Sequence, residues 1–410
     1  MTASLVFTIL VGIVFLNFIK EEILSFFNAK HFNDKLPDEL TDVYEDDEYQ
    51  ESQNYKKTNY GFSFYANSFS VLITLSFFFC NGFAWVDELV RGFTSNEILQ
   101  TLYYFGLLFF GSDLLNTPFS YYNTFVIEEK FGFNKSTKKL FFLDKLKGWL
   151  LAVLLGAPMV ALIIWFYQQL GSQFWIFTWV VIASITLFMN LFYSSLIVPL
   201  FNKQTPLENG ELKMKLEEFS SKVGFQLDKI FVIDGSKRST KANAYFSGFG
   251  PKKRIVLYDT LIKDLTTEEI VAVFAHEVGH YKRKHILFNL IISTLLMGLT
   301  LFVLSLLIGS PLLSDALGVK TPSFHIGLIT FSILYSPISE LTGLVMNLIS
   351  RTFEYQADNF AKEYTNREDL ICSLKKLSKN SLSNLTPHKA TVFMHYSHPT
   401  LLERIRNLRK

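Results

Sequence analysis

The stretch HEVGH, His276 to His280, sets two histidines four residues apart with a glutamate directly after the first. On an α-helix, residues four apart share a face, so both imidazoles can reach one metal ion. Glu277 then lies beside the metal. A zinc ion in that place lowers the pKa of a water toward neutrality, and the glutamate takes the proton as the oxygen attacks a carbonyl. The H-E-x-x-H spacing carries this hydrolytic chemistry.

A catalytic zinc needs a third protein ligand and an open fourth position. The longer histidine motif wants a histidine at 286 and a glycine at 283, where this chain has Ile286 and Arg283. His285 is one residue off and reads as a helix-end residue facing the membrane interface. A carboxylate from a separate helix is the alternative. In SRTFEYQADNFAKEY, 350–364, Glu354 and Asp358 are four apart and again share a face. Glu354 is the expected third ligand, and Asp358 the acceptor that orients a ligating histidine.

The elements around these residues divide into polar and apolar stretches. KIFVID and RIVLYDTLI read as short strands, with NAYFSGFGPKK and its Gly-rich turn between them. LTTEEIVAVFAHEVGHYKRKH reads as a helix opened by a capping box, Thr266 with Glu269, and expected to run on into the next apolar stretch.

That stretch is one of seven, at roughly 3–19, 62–86, 98–117, 148–168, 174–200, 286–309 and 325–350. Each approaches the about 20 apolar residues a membrane helix needs. Composition agrees: 49% of the residues are apolar, 42 are phenylalanine, and only 19% are charged. Soluble domains carry about 25% charge. The first stretch lacks a basic leader and a small-residue cleavage site, so it reads as a retained helix. The net charge of +2 gives no reason to expect a nucleic-acid partner, and Cys80 and Cys372 form no disulfide framework.

Lysines and arginines concentrate in the 118–147 connection and in 202–285, while the loops near 87–97, 169–173 and 310–324 hold one, none and one. By the positive-inside rule the N-terminus is outside, and the 202–285 domain and the C-terminus face the cytosol. The acidic run DVYEDDEYQES then reads as a solvated, partly disordered cytosolic surface. No internal repeat is evident. Asp113, Asn116, Asn190, Asn289, Glu340 and Asn347 lie inside spans, where polar groups face a bundle interior or a cavity.

Taken together, these residues resemble the CAAX prenyl protease family of integral-membrane zinc metalloproteases. The resemblance runs almost end to end: TFVIEEKFGFNKST at 124–137, PLFNKQTPLENGELK at 199–213, NAYFSGF at 243–249, KRIVLYDTLI at 253–262, HEVGH, FEYQAD and YSHPTLLERI at 396–405. It implies one Zn²⁺ per chain on His276, His280 and Glu354, with Glu277 as catalytic base. Asn243 of the N-A-Y stretch, with Ala244 and Tyr245, would bind substrate, and His398 and Arg404 would line the site. Relatives commonly carry a histidine-serine pair before N-A-Y; here the residues are Lys241-Ala242, a difference that bears on substrate preference. As chemistry, His398 or Arg404 could stabilise an oxyanion, worth roughly 3–4 kcal/mol. An edge strand at NAYFS would hold an extended peptide.

The expected fold is a mainly α-helical membrane protein, seven transmembrane helices enclosing a chamber (a feature the resemblance implies) with a small cytosolic α+β metalloprotease domain of the gluzincin type. The expected division is 1–201 with spans one to five, 202–285 as the zinc domain, 286–350 with spans six and seven, and 351–410 as a helical region completing the site. The expected substrates are peptide or protein C-termini, prenylated or not, met at membrane lipid, in either a bacterial inner membrane or the endoplasmic reticulum. In a bacterium without protein prenylation the same chemistry would serve membrane-protein quality control. A non-catalytic transporter or scaffold with structural zinc is the contrasting reading, but a closed structural site needs four protein ligands and three are found, and the intact His276, Glu277, His280 and Glu354 set argues against a dead scaffold.

Overall fold

The computed structural model describes residues 2–225, 229–247 and 254–410. Its first half is helical: α1 (Ala3–Lys30), α2 (Asp46–Phe79), α3 (Gly82–Phe93), α4 (Glu97–Tyr122), α5 (Lys138–Leu151), α6 (Ala157–Leu170), α7 (Phe174–Leu196) and the single turn α8 (Val198–Phe201). A mixed region follows, with β1 (Gln204–Pro206), α9 (Glu211–Lys222), β2 (Lys229–Ile233), β3 (Ala244–Ser247), β4 (Arg254–Tyr258), α10 (Asp259–Asp264) and α11 (Thr267–Lys282). Helices then resume as α12 (His285–Leu307), α13 (Pro311–Asp315), α14 (Phe324–Tyr364), α15 (Arg367–Asn380), α16 (Lys389–His395) and α17 (Leu401–Arg409).

Among the described residues, six helical segments are long and apolar enough to cross a membrane. One of them, Lys138–Phe201, folds back on itself at Gly171, whose φ of 54° a side chain rarely tolerates. The rings of Phe166 and Phe177 lie 5.7 Å apart across the reversal. On an unbroken helix they would be roughly 16 Å apart along the axis. That segment therefore makes two passes, and seven passes are compatible with the fold. Large apolar side chains face outward along these helices, among them Leu16, Leu72, Leu154, Leu306 and Leu341. In water such surfaces would aggregate; in lipid they are solvated.

The four-stranded sheet has the order β1-β2-β4-β3, with β2 and β4 parallel and the two outer strands antiparallel to their neighbours. Among the described residues β3 is thus an edge strand. The sheet packs with α9, α11, α15 and α17 around a core that includes Leu216, Phe219, Ile255, Leu257, Phe274, Val278, Ile371 and Ile405. Leu40, Val43 and Tyr44, from the loop after α1, complete it.

Two expectations need correction, and one strand is new. The motif helix does not run into the next span: α11 ends at Lys282, Lys284 turns left-handed at φ 61°, and α12 starts afresh at His285. The acidic run is ordered, because Glu45 caps α2 in a reciprocal capping box with Glu48, and Asp46 and Asp47 sit in the first turn where the helix dipole favours them. β1 was not anticipated; it is three residues long and ends in Pro206. The strands KIFVI and RIVLY and the Thr266–Glu269 box stand as expected. The Gly-rich turn lies outside the described residues.

Polar groups within the helices find specific partners. Asp113 accepts from Lys145 Nζ and Trp149 Nε1, both at 2.9 Å. Glu340 pairs with Lys20 of α1, and Asn347 donates to the Met394 carbonyl at 3.1 Å. Asn116 and Asn190 bond carbonyls of their own helices at Ser112 and Thr186.

Candidate active site

α14 is 41 residues long, and its last turns rise beyond the apolar stretch to carry Glu354 and Asp358 against α11. Gly279 sets how closely the two helices approach. A Cβ there would lie 3.0 Å from the Cα of Ala357 and 3.1 Å from the Cβ of Phe360. With glycine, the face bearing His276 and His280 meets the face bearing Glu354. The Nε2 atoms of the two histidines are 3.2 Å apart. Glu354 Oε1 is 3.2 Å from His280 Nε2, and Oε2 is 3.4 Å from His276 Nε2.

These three residues bring one ligand atom each within 4.8 Å of one another. Glu354 is 4% exposed, and its Oε2 is buried with no hydrogen-bond partner among the described residues. Two imidazole nitrogens and an orphaned carboxylate oxygen at this spacing fit a divalent transition metal between them.

Each histidine is held from behind. His276 Nδ1 lies 2.9 Å from Asp358 Oδ1, and Asp358 is fully buried. Arg404 forks onto that carboxylate, its Nε 2.9 Å from Oδ2 and a terminal nitrogen 2.5 Å from Oδ1. Its other terminal nitrogen is 3.8 Å from Glu354 Oε2. Burial and the Arg404 charge work to lower the His276 pKa, but the neighbouring carboxylates of Asp358 and Glu354 outweigh them and push it up to about 9. Asp358 keeps Arg404 protonated despite its burial.

His280 has a different support: His285, expected to face the membrane interface, is buried against it instead. His285 is 3% exposed, its Nδ1 is 3.0 Å from His280 Nδ1, and its Nε2 is 2.9 Å from Gln356 Oε1. Phe353 stacks on it with ring centres 4.0 Å apart. A relay from His280 through His285 to Gln356 fixes the nitrogen that His280 presents to a metal. The left-handed Lys284 folds His285 back to this position; on a continuous helix, a residue five further on faces elsewhere. Replacing Gln356 by Leu should weaken metal binding by about tenfold, read by competition with a chelator of known affinity. Unchanged affinity would remove the relay from the account.

A cavity of about 570 Å³ opens onto the cluster. Its walls include His276, Glu277, His280, Glu354, His398 and Arg404 from the helices, and Asn243, Ala244 and Tyr245 from the sheet edge. Glu277 is half-buried there. His398 Nε2 is 3.3 Å from Glu354 Oε1, and its side chain is otherwise largely open. Asn243 Oδ1 accepts from the Ala244 N–H at 2.8 Å, and the Tyr245 hydroxyl sits 3.4 Å from Ser194 Oγ. The structure thus brings the metal-ligand, catalytic and substrate-binding candidates to one cavity, with Asp358 one layer behind its wall.

Lys241 is bound rather than free. Its ammonium donates to Glu128 at 2.8 Å and to the Tyr55 hydroxyl at 3.1 Å, and it lies over the Phe133 ring. This clamp ties the start of the N-A-Y strand to α2 and to the turn after α4. No local signal in the sequence predicts it, since its partners are more than a hundred positions away.

Residues 26–203 match the model described as CAAX prenyl protease N-terminal, five membrane helices, and residues 206–410 match peptidase family M48. The CAAX prenyl protease 1 homolog of Oryza sativa subsp. japonica is 39% identical over 378 residues, 90% of this chain and 89% of that protein. CAAX prenyl protease 1 of Saccharomyces cerevisiae is 36% identical, covering 90% of this chain and 88% of its own. The crystal structure of S. mikatae Ste24p superposes with a TM-score of 0.93 at 34% identity, across 99% of both chains. A helical bundle fit for lipid, an H-E-x-x-H helix facing a glutamate, and family matches across both halves lead to one assignment: the chain belongs to the CAAX prenyl protease family, the multi-pass membrane metallopeptidases of family M48.

Proposed function

We propose that this metalloprotease uses zinc to cleave peptide bonds near protein C-termini, including removal of the last three residues of prenylated C-a-a-X tails. The observation that carries this reading is the His276–His280–Glu354 cluster beside Glu277, opening onto a cavity bordered by a free strand edge. In the proposed division of labour, His276, His280 and Glu354 hold the zinc. When bound, the metal supplies Lewis acidity to a substrate carbonyl and to water.

The chain's own groups do the rest. The edge of β3 that is unpaired among the described residues takes the substrate backbone as an added strand, which grips any sequence alike. Asn243 stands at the start of that edge. Glu277 takes a proton from the attacking water and passes it to the leaving amine. His398, open to the cavity, donates to the oxygen on which charge develops. Arg404 has two of its donors committed to Asp358, so it acts by fixing Asp358 and through it His276. The basic loops support a cytosolic placement of the site.

The test is cleavage, by purified detergent-solubilised protein, of a farnesylated C-terminal peptide and its unprenylated twin, with and without a zinc chelator. Chelator-sensitive cleavage favouring the farnesylated peptide is the expected result. Equal cleavage of both would move the biology to general membrane proteolysis. Cleavage of neither by zinc-loaded protein would overturn the reading.

A further inference from the structure

Beside the active-site cavity lies a second one of about 380 Å³, between α1, α2 and the loop after α15. Ser381 and Ser383 line both, so the two cavities share a wall. Tyr55 lines the second cavity, and through its hydroxyl it holds Lys241, two residues before Asn243. One side of the second cavity is therefore tied, through Tyr55 and Lys241, to the strand that would hold the substrate.

Lys56 lines this second cavity. It is 8% exposed, and its ammonium has no hydrogen-bond partner among the described residues. Such a group is costly, because a buried charge is tolerated only when paired. Glu22 is the one acidic residue among the described lining. It accepts from Asn67 at 3.0 Å and makes no ion pair with Lys56. Hydroxyls of Ser25 and Ser63 share the lining. The lining thus holds one acid, Glu22, already bonded to Asn67, and one cation, Lys56, whose buried ammonium has no partner among the described residues and could turn toward a single small anion.

Cleavage near a protein's C-terminus brings one such anion in with every substrate. We infer that Lys56 binds the α-carboxylate at the end of the substrate tail, so that this second cavity receives the departing segment. The inference rests on the C-terminal cleavage proposed above. A flexible four-carbon stem lets the ammonium meet a carboxylate entering the cavity. A charged hydrogen bond of this kind is what separates an enzyme that measures from the chain end from one that cuts anywhere along an extended strand.

The experiment compares a farnesylated peptide ending in a free carboxylate with the same peptide ending in a carboxamide. Wild-type protein should cleave the acid with a kcat/KM about tenfold or more above the amide, chiefly through KM. In Lys56→Met that ratio should fall to about one, and Lys56→Arg should restore most of it. Equal cleavage of acid and amide by the wild type overturns the Lys56 assignment while leaving C-terminal proteolysis standing. A preference that survives in Lys56→Met overturns it too. Cleavage of neither peptide by zinc-loaded wild type removes the proposed function and this inference together. If Lys56→Met fails to fold, the wild-type comparison and Lys56→Arg still decide, since a charge-retaining variant without the preference also contradicts the assignment.

Discussion

Glu277→Gln should retain its bound metal and lose peptide cleavage by about 10³-fold, the scale of a general base removed from a hydrolytic site. Glu277 is not among the three residues whose ligand atoms converge. It follows His276 on the same helix and lines the cavity where a scissile bond would sit. Glutamine keeps the volume and can still hydrogen-bond a water, but it has no basic oxygen to take the proton. The substitution therefore separates binding from chemistry. Metal content by elemental analysis should stay at one ion per chain, and KM should change little while kcat collapses. Two outcomes count against the assignment. Full activity would mean that another group removes the proton, and loss of the metal would mean that Glu277 helps to hold it.

The parts of this site that were legible beforehand are those where one helix or strand carries the whole signal. HEVGH and FEYQAD each place two residues four apart, and helical geometry does the rest. The Thr266–Glu269 capping box marks where the motif helix begins, and both of its hydrogen bonds are present. The sequence offers N-A-Y as an edge that would hold a peptide, and its position at the sheet edge depends on β1 and β2 lying on the far side of β4. What could not be read depends on chain reversals and distant partners. His285 reaches His280 only because Lys284 turns left-handed, and nothing in a run of basic residues specifies that turn. The acidic stretch was misread because glutamate, not serine or threonine, caps α2. Lys56 looks like any lysine near a membrane surface, where long cationic side chains reach outward. Its burial follows from how α1, α2 and the loop after α15 meet, and that is tertiary information.

Asp358→Ala should be the most destabilising single change behind the site, by about 3–5 kcal/mol, because it strands the Arg404 charge in the interior. The Arg404 side chain is 12% exposed and that of Asp358 is 0% exposed, so solvent cannot take over either role. The same change frees His276 Nδ1 from its partner, and metal affinity should fall by about 10–100-fold. Arg404→Leu should cost less, since Asp358 would still face the His276 imidazole. The double variant Asp358→Ala with Arg404→Leu is the informative one. Removing both charges takes away the desolvation problem as well as the attraction, so its loss of stability should be smaller than the sum of the single losses by at least about 1 kcal/mol. Thermal or denaturant unfolding in detergent, with metal retention measured alongside, reads both quantities. If the double variant regains stability but not metal affinity, Arg404 and Asp358 serve to hold His276. If the losses simply add, the fork does not act as a unit, and Arg404 would have to be reconsidered as a group that meets substrate directly.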